Sequence, residues 1–155
     1  MLDTPETVDS TCGCGPKCDT CDTDGAIALK IVWQRLVSDE GETCPRCGTT
    51  QAAVQQAVNT LAEVLLPLGI EPILETRELD LKAFEAAPIE SNRIWIADQP
   101  LEAWIGADVG GTRCCTVCGD NDCRTLELDG TTFEAIPERL IVKAGLAAAS
   151  SLLKL

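Results

Sequence analysis

Residues 26–69 read AIALKIVWQRLVSDEGETCPRCGTTQAAVQQAVNTLAEVLLPLG, and this stretch decides the fold. At its start Ile27, Leu29, Ile31 and Trp33 alternate with Ala28, Lys30, Val32 and Gln34, the period of two that marks a strand. Ser38 to Thr43 (SDEGET) supplies a turn. Beyond Cys44 the period changes. Val54, Val58, Leu61, Leu65 and Leu68 are spaced by four, three, four and three residues, forming one apolar stripe along a long helix. Pro67 and Gly69 close that helix, with the glycine at the usual C-cap position. Cys44-Pro45-Arg46-Cys47 therefore stands where a strand has ended and a helix begins.

Working outward, Ile70 to Thr76 reads as a second strand, and Pro72 suits it to a sheet edge. Asp80 is placed to cap a short helix through Ala87. Arg93 to Ala97 (RIWIA) is a third strand, with a turn at Asp98-Gln99-Pro100 and one helical turn from Leu101 to Ile105 closed by Gly106. Gly110 to Cys123 reads as a loop. Thr125–Leu128 and Thr131–Ala135 flank Asp129-Gly130, a two-residue hairpin signal. Pro137 fits the first position of a last helix ending near Leu153. Strand, helix, strand, helix, strand, hairpin and closing helix make an α/β domain with a mixed sheet over residues 26–155. Residues 1–25 lack apolar periodicity and read as a cysteine-rich tail, disordered or ordered by metal.

A chain of 155 residues with 45% hydrophobic content suits one domain with an ordinary core that needs no disulfides. The formal charge of -13, from 25 acidic and 12 basic residues, opposes binding to nucleic acid or to an anionic membrane. The absence of histidine excludes imidazole bases and Cys–His nucleophile pairs within the chain. Met1 to Ser10 has neither the basic nor the apolar region of a secretory signal. No apolar run reaches a membrane span, and Leu140 to Leu155 reads as a buried helix. A cytoplasmic, reducing location is expected, where thiols or metal thiolates are the ordinary state of cysteine.

The ten cysteines fall into three sets: Cys12, Cys14, Cys18 and Cys21; Cys44 and Cys47; and Cys114, Cys115, Cys118 and Cys123. Local clusters of this kind converge thiolates on one atom, whereas disulfide frameworks spread cysteines along the chain. The first set has the dense spacing of a soft-metal tail. In the third, Cys115 and Cys118 have C-x-x-C spacing among turn-forming glycines, and adjacent Cys114 and Cys115 offer two thiolates to a soft metal or trivalent metalloid. That set is equally read as a structural zinc knot. Asp120 and Asp122 read as turn residues. In the CPRC motif, the helix N-terminus stabilises a thiolate on Cys44 and Arg46 adds a nearby cation, while Cys47 is placed to resolve a mixed disulfide or share a metal. The alternative for that pair is half of a zinc site. Trp33, Trp95 and Trp104 read as core or rim anchors.

The strand, the CPRC-led helix and the stretch Ser91-Asn92-Arg93-Ile94-Trp95-Ile96 resemble a thioredoxin or glutaredoxin-type domain. The segment from about Ile27 to Leu153 is also similar to an uncharacterised cysteine-rich family of thioredoxin-like domains. The motifs CPRCG, SNRIWI, CCTVCGDNDCRT and IPERLIVKAG carry that similarity. The resemblance implies Cys44 as attacking thiol and Cys47 as resolving thiol. It departs at Asn92, where thioredoxin-like proteins place a proline that shapes the substrate groove and keeps metals off the thiols.

The expected function is binding and transfer of a soft metal or metalloid at the CPRC site, with the other clusters as separate metal sites. Zinc is the first expected ion and an iron–sulfur cluster the second. The alternatives are a thiol–disulfide oxidoreductase, a structural or storage metal module, and an iron–sulfur electron carrier. The expected partner is a thiol or disulfide protein, or a metal donor or acceptor.

Overall fold

In the computed structural model, the residues described are 25–113, 118–119, 121 and 122–153. The readings made for the tail, with Cys12, Cys14, Cys18 and Cys21, and for Cys114, Cys115 and Asp120 lie outside the described residues.

Strand β1 (Ile27–Leu36) buries Leu29, Ile31 and Trp33 and leaves Lys30 exposed, as its alternation predicts, while Ile27 at its start is exposed. Val32 and Leu36 depart from the alternation: they lie on the opposite face and are buried as well. In its sheet β1 lies between β2 (Ile70–Leu79) and β3 (Arg93–Ile96). It pairs in parallel with β2 and antiparallel with β3. A parallel pair needs a crossover, and helix α1 (Pro45–Leu65) supplies it. A 3-10 turn, Leu66–Leu68, ends at Gly69 with φ of 78°, a left-handed conformation that suits glycine. Among the described residues strand β2 has β1 as its only neighbour, which puts Pro72 on an edge strand.

Asp80 caps α2 (Leu81–Ala86), its carboxylate accepting from the Ala83 amide at 2.7 Å. A second 3-10 turn, Pro88–Glu90, leads into β3. The turn after β3 falls at Ala97-Asp98, both with positive φ, one residue earlier than the sequence suggests. Gln99–Pro100 then pairs back as the short strand β4, completing a sheet in the order β2-β1-β3-β4. Helix α3 (Leu101–Ile105) ends at Gly106.

The expected loop from Gly110 to Cys123 is largely sheet. Strand β5 (Asp108–Arg113) pairs antiparallel with β6 (Asp122–Leu128), which pairs with β7 (Thr131–Phe133) across Asp129-Gly130. Gly110 is in this strand because its neighbours crowd it: a Cβ there would lie 2.9 Å from both Thr125 Oγ1 and Glu127 Oε1.

Helix α4 (Glu138–Leu152) is amphipathic rather than wholly buried. Leu140, Ile141, Ala144, Ala148 and Ala149 face inward, and Leu146 is exposed. The α1 stripe is Val54, Ala57, Leu61 and Leu65; Leu68, beyond the helix end, is exposed. The two helices pack closely because Gly145 lacks a side chain: a Cβ there would lie 2.6 Å from Leu61 Cδ1. Trp33 is in the core, and Trp104 is half-buried with its indole N–H bonded to the Ile96 carbonyl at 2.8 Å. Half-buried Trp95 is stacked by Arg93 at 4.5 Å from the ring centre. Among the described residues no helix is long and apolar enough to cross a membrane.

Leu61→Ala should cost about 2–5 kcal/mol in urea unfolding. Gly145→Ala should destabilise the parent protein but be tolerated in the Leu61→Ala background, giving a favourable coupling of about 1 kcal/mol in the double-mutant cycle.

Candidate metal centre

Cys44 is the N-cap of α1, with extended φ and ψ of -73° and 157°, and Pro45 follows at the first helical position. The Cys47 amide, one of the N–H groups left over at a helix start, donates to Cys44 Sγ at 3.5 Å. The positive end of a 21-residue helix therefore faces this sulfur. Cys44 and Cys47 are each 1% exposed, and Cys118 and Cys123 each 2%.

Cys123 lies on β6 opposite Thr112 of β5, at the end of the hairpin nearer the cysteine cluster. Cys118 lies in the preceding turn, its carbonyl accepting from both the Asn121 amide and the Asn121 side chain at 3.3 Å. The two sulfurs are 2.7 Å apart. Cys44 joins them: the sulfurs of Cys44, Cys118 and Cys123 all lie within 4.8 Å of one another. The motif at the helix start and the cluster in the hairpin, expected as separate sites, thus contribute to one sulfur centre. Cys47 packs beside Cys44 and is outside the convergent set.

Arg46 brings the two halves together. Its guanidinium donates to the carbonyls of Thr112 (3.1 Å), Arg113 (2.6 Å) and Cys123 (3.4 Å), and to Thr112 Oγ1 at 2.7 Å. Glu134 pairs with it at 3.2 Å. The side chain expected to serve as a cation for the thiolate instead ties α1 to β5 and β6. Sequence reasoning missed Thr112, Glu134 and the hairpin carbonyls, because nothing local marks a backbone oxygen as a partner 66 or 77 residues away. A second arginine works from the other side: Arg124 of β6 is buried, donates to the Ile89 carbonyl at 2.8 Å and pairs with Glu102 of α3.

The Cys47 thiol is pushed far above its ordinary acidity range. The largest cause is its hydrogen bond with Cys44; burial and repulsion from a charge on Cys44 act in the same direction. Of this pair, Cys47 keeps its proton. Chemically the centre has two directions open to it. A disulfide needs sulfurs about 2.05 Å apart, and two thiolates on one tetrahedral zinc stand roughly 3.8 Å apart, given a Zn–S distance of about 2.3 Å. The 2.7 Å between Cys118 and Cys123 lies between these values.

Asn92, just before β3, has φ of 53° and is buried. Its side-chain oxygen accepts from the Trp33 indole at 3.1 Å. Proline cannot adopt this φ, whereas asparagine is among the residues that tolerate it. The departure from the thioredoxin pattern is therefore built into the backbone and is more than a change of side chain.

Residues 29–145 match the family described as "Domain of unknown function (DUF2703)", and the chain belongs to it. The matched span contains Cys44, Cys47, Cys114, Cys115, Cys118 and Cys123 and leaves the four tail cysteines outside. An "Uncharacterized protein" of Archaeoglobus fulgidus is 48% identical over 115 residues, covering 74% of this chain and 83% of the relative. No solved structure matches.

Arg46→Ala should destabilise the protein by about 2–4 kcal/mol, since charged hydrogen bonds are lost and carbonyls are left unpaired. It should also speed alkylation of Cys118 and Cys123 in the metal-free reduced protein, read by peptide mass spectrometry.

The raised Cys47 value has a consequence for pH. Above about 9, the ordinary thiol value, the unfolded chain sheds this proton while the folded chain keeps it. The stabilisation is therefore complete below that pH and falls as pH rises, approaching about 1.4 kcal/mol per pH unit. Urea unfolding of metal-free protein between about pH 8 and pH 10 should show stability falling with a slope that steepens toward this value, and Cys47→Ser should remove that contribution.

Proposed function

We propose that this protein binds and passes on soft metal or metalloid ions through a thiolate centre shared by the CPRC helix and the β5–β6 hairpin. The observation that carries the reading is the convergence of Cys44, Cys118 and Cys123, three buried sulfurs from distant parts of the chain. Thiolates select soft ions, zinc among them, over hard oxygen-seeking cations. The order β2-β1-β3-β4 with a parallel β1–β2 pair and a helix led by C-x-x-C supports a thioredoxin-like origin for the fold. In that reading the hairpin and its cysteines cover what would be the substrate face. The reading also implies a reducing compartment and a thiol-bearing metal donor or acceptor as partner.

Thiol–disulfide exchange is the second reading, favoured by the 2.7 Å approach of Cys118 and Cys123. Burial weighs against it: a disulfide on another protein has little access to sulfurs 1–2% exposed.

Cadmium(II) tests the proposal as a soft thiolate probe. Added to the reduced full chain at about one hundred times its dissociation constant, it should stabilise the fold by about 2.7 kcal/mol. The stabilisation should vanish in Cys44→Ser, Cys118→Ser or Cys123→Ser and persist in Cys21→Ser. A rise in melting temperature that survives loss of Cys44 would reject the shared centre.

A further inference from the structure

We infer that this protein forms a two-fold dimer in which strand β2 pairs antiparallel with β2 of a second copy, centred on Thr76. The inference is independent of the metal-handling reading.

The first observation is an open edge. Strand β2 is 10 residues long, and among the described residues only β1 lies beside it. Each residue of a strand turns its N–H and C=O to the same side, and the sides alternate along the chain. The Ile27 amide donates to the Gly69 carbonyl at 2.8 Å and the Val37 amide to the Leu79 carbonyl at 2.9 Å. The odd-numbered residues of β2 therefore bond to β1, and Pro72, Leu74, Thr76 and Glu78 turn their backbone groups outward. Proline stands at one of these outward positions, where its missing N–H takes no bond from the β1 ladder. Leu74, Thr76 and Glu78 each present a donor and an acceptor, a template for another strand.

The second observation is that this edge fits its own image. A two-fold axis at Thr76 sets Thr76 against the partner's Thr76 and Leu74 against the partner's Glu78. Both pairs match outward residues, as the hydrogen-bonded positions of an antiparallel ladder require. Between them Glu75 faces the partner's Arg77, and Arg77 the partner's Glu75, at the positions where facing side chains lie closest. Ile73, 46% exposed, faces the partner's Leu79. Neighbouring registers fit worse. An axis at Glu75 or at Arg77 sets like charges against each other, which is destabilising. An axis at Leu74 sets Ile73 against Glu75 and Thr76 against Pro72, which has no N–H to give.

The formal charge of -13 on each chain opposes self-association. At about 0.15 M salt that repulsion is screened beyond about 8 Å, whereas the facing Glu75 and Arg77 pairs are in contact. Pairing joins two four-stranded sheets into one. Because β1 runs parallel to β2 and leads into α1, the antiparallel arrangement sends the two sulfur centres toward opposite ends of the joined sheet.

Sedimentation velocity on the full chain, kept reduced by a phosphine and without added metal, tests this from about 1 µM to about 500 µM. A dimer that dissociates on dilution is expected. Thr76→Pro should weaken it by about tenfold or more while leaving the melting temperature of the dilute chain nearly unchanged, because the Thr76 N–H is not used within the chain. Glu75→Arg alone and Arg77→Glu alone should each weaken it by about tenfold. An equimolar mixture of those two variants places opposite charges at both facing positions and should dimerise as tightly as the parent. Hydrogen exchange on the unmutated protein needs no variant to fold. The amides of Leu74, Thr76 and Glu78 should gain protection as concentration rises, whereas those of Glu75 and Arg77, bonded to β1, should be protected throughout. A chain that stays monomeric over the whole range, or a dimer indifferent to Thr76→Pro and to both charge reversals, would overturn the inference. So would a mixture of the two folded charge variants that fails to pair, or exchange at Leu74, Thr76 and Glu78 that ignores concentration.

Discussion

The structure of the site depends on one buried cation. Arg46 is 7% exposed, and its planar guanidinium reaches three carbonyls of the β5–β6 hairpin, a threonine hydroxyl and Glu134. A guanidinium is suited to this because its five N–H donors point in fixed directions and it cannot lose its charge to escape burial. The carbonyls belong to Thr112, Arg113 and Cys123, on paired strands beside the sulfur cluster. Holding them against the first turn of α1 brings Cys118 and Cys123 to Cys44. Arg124 of the same hairpin is held elsewhere, by the Ile89 carbonyl and Glu102.

A sulfur centre formed this way is also part of the core. Thiols are weakly polar, so Cys44, Cys47, Cys118 and Cys123 bury among Leu and Ile side chains at little cost in their protonated form. Their ionised forms are a different matter, as the raised Cys47 value shows: burial and a like charge next door both oppose a second thiolate. The first thiolate has the helix start to support it. Within the C-x-x-C pair Cys44 accepts the Cys47 amide, while at Cys47 the hydrogen bonds from the Leu36 backbone and from Thr43 are outweighed by Cys44 and burial. The same burial limits the access of a bulky disulfide to these sulfurs.

Asn92 marks the same divergence at backbone level. A left-handed residue before β3, bonded through its side chain to Trp33 of the central strand, holds the β3 entry in a conformation closed to proline. The chain therefore differs from the thioredoxin pattern at the strand entry, and its own sheet, in the order β2-β1-β3-β4, leads from β1 into the helix that begins beside the thiols.

Much of the frame was legible in residues 26–69, because periodicity is a local property: alternation specified β1, the three-and-four spacing specified α1, Pro45 opened it, and Gly69 ended the 3-10 turn that follows it. The hairpin turn at Asp129-Gly130 was equally local. Gly110 and Gly111 misled, since paired glycines suggest a loop. Their reason for being in β5 is crowding from residues of β6 and, at Gly111, from Ile89, which no window along the chain reveals. Val32 was unreadable for a similar cause, as its burial comes from what covers the second face of a central strand. The sequence by itself determined where the sulfurs stand along the chain and that Cys44 begins a helix. Only the tertiary structure decided that Cys44 meets Cys118 and Cys123 and that Cys47 stands aside, because that grouping depends on where one arginine finds carbonyls distant in sequence.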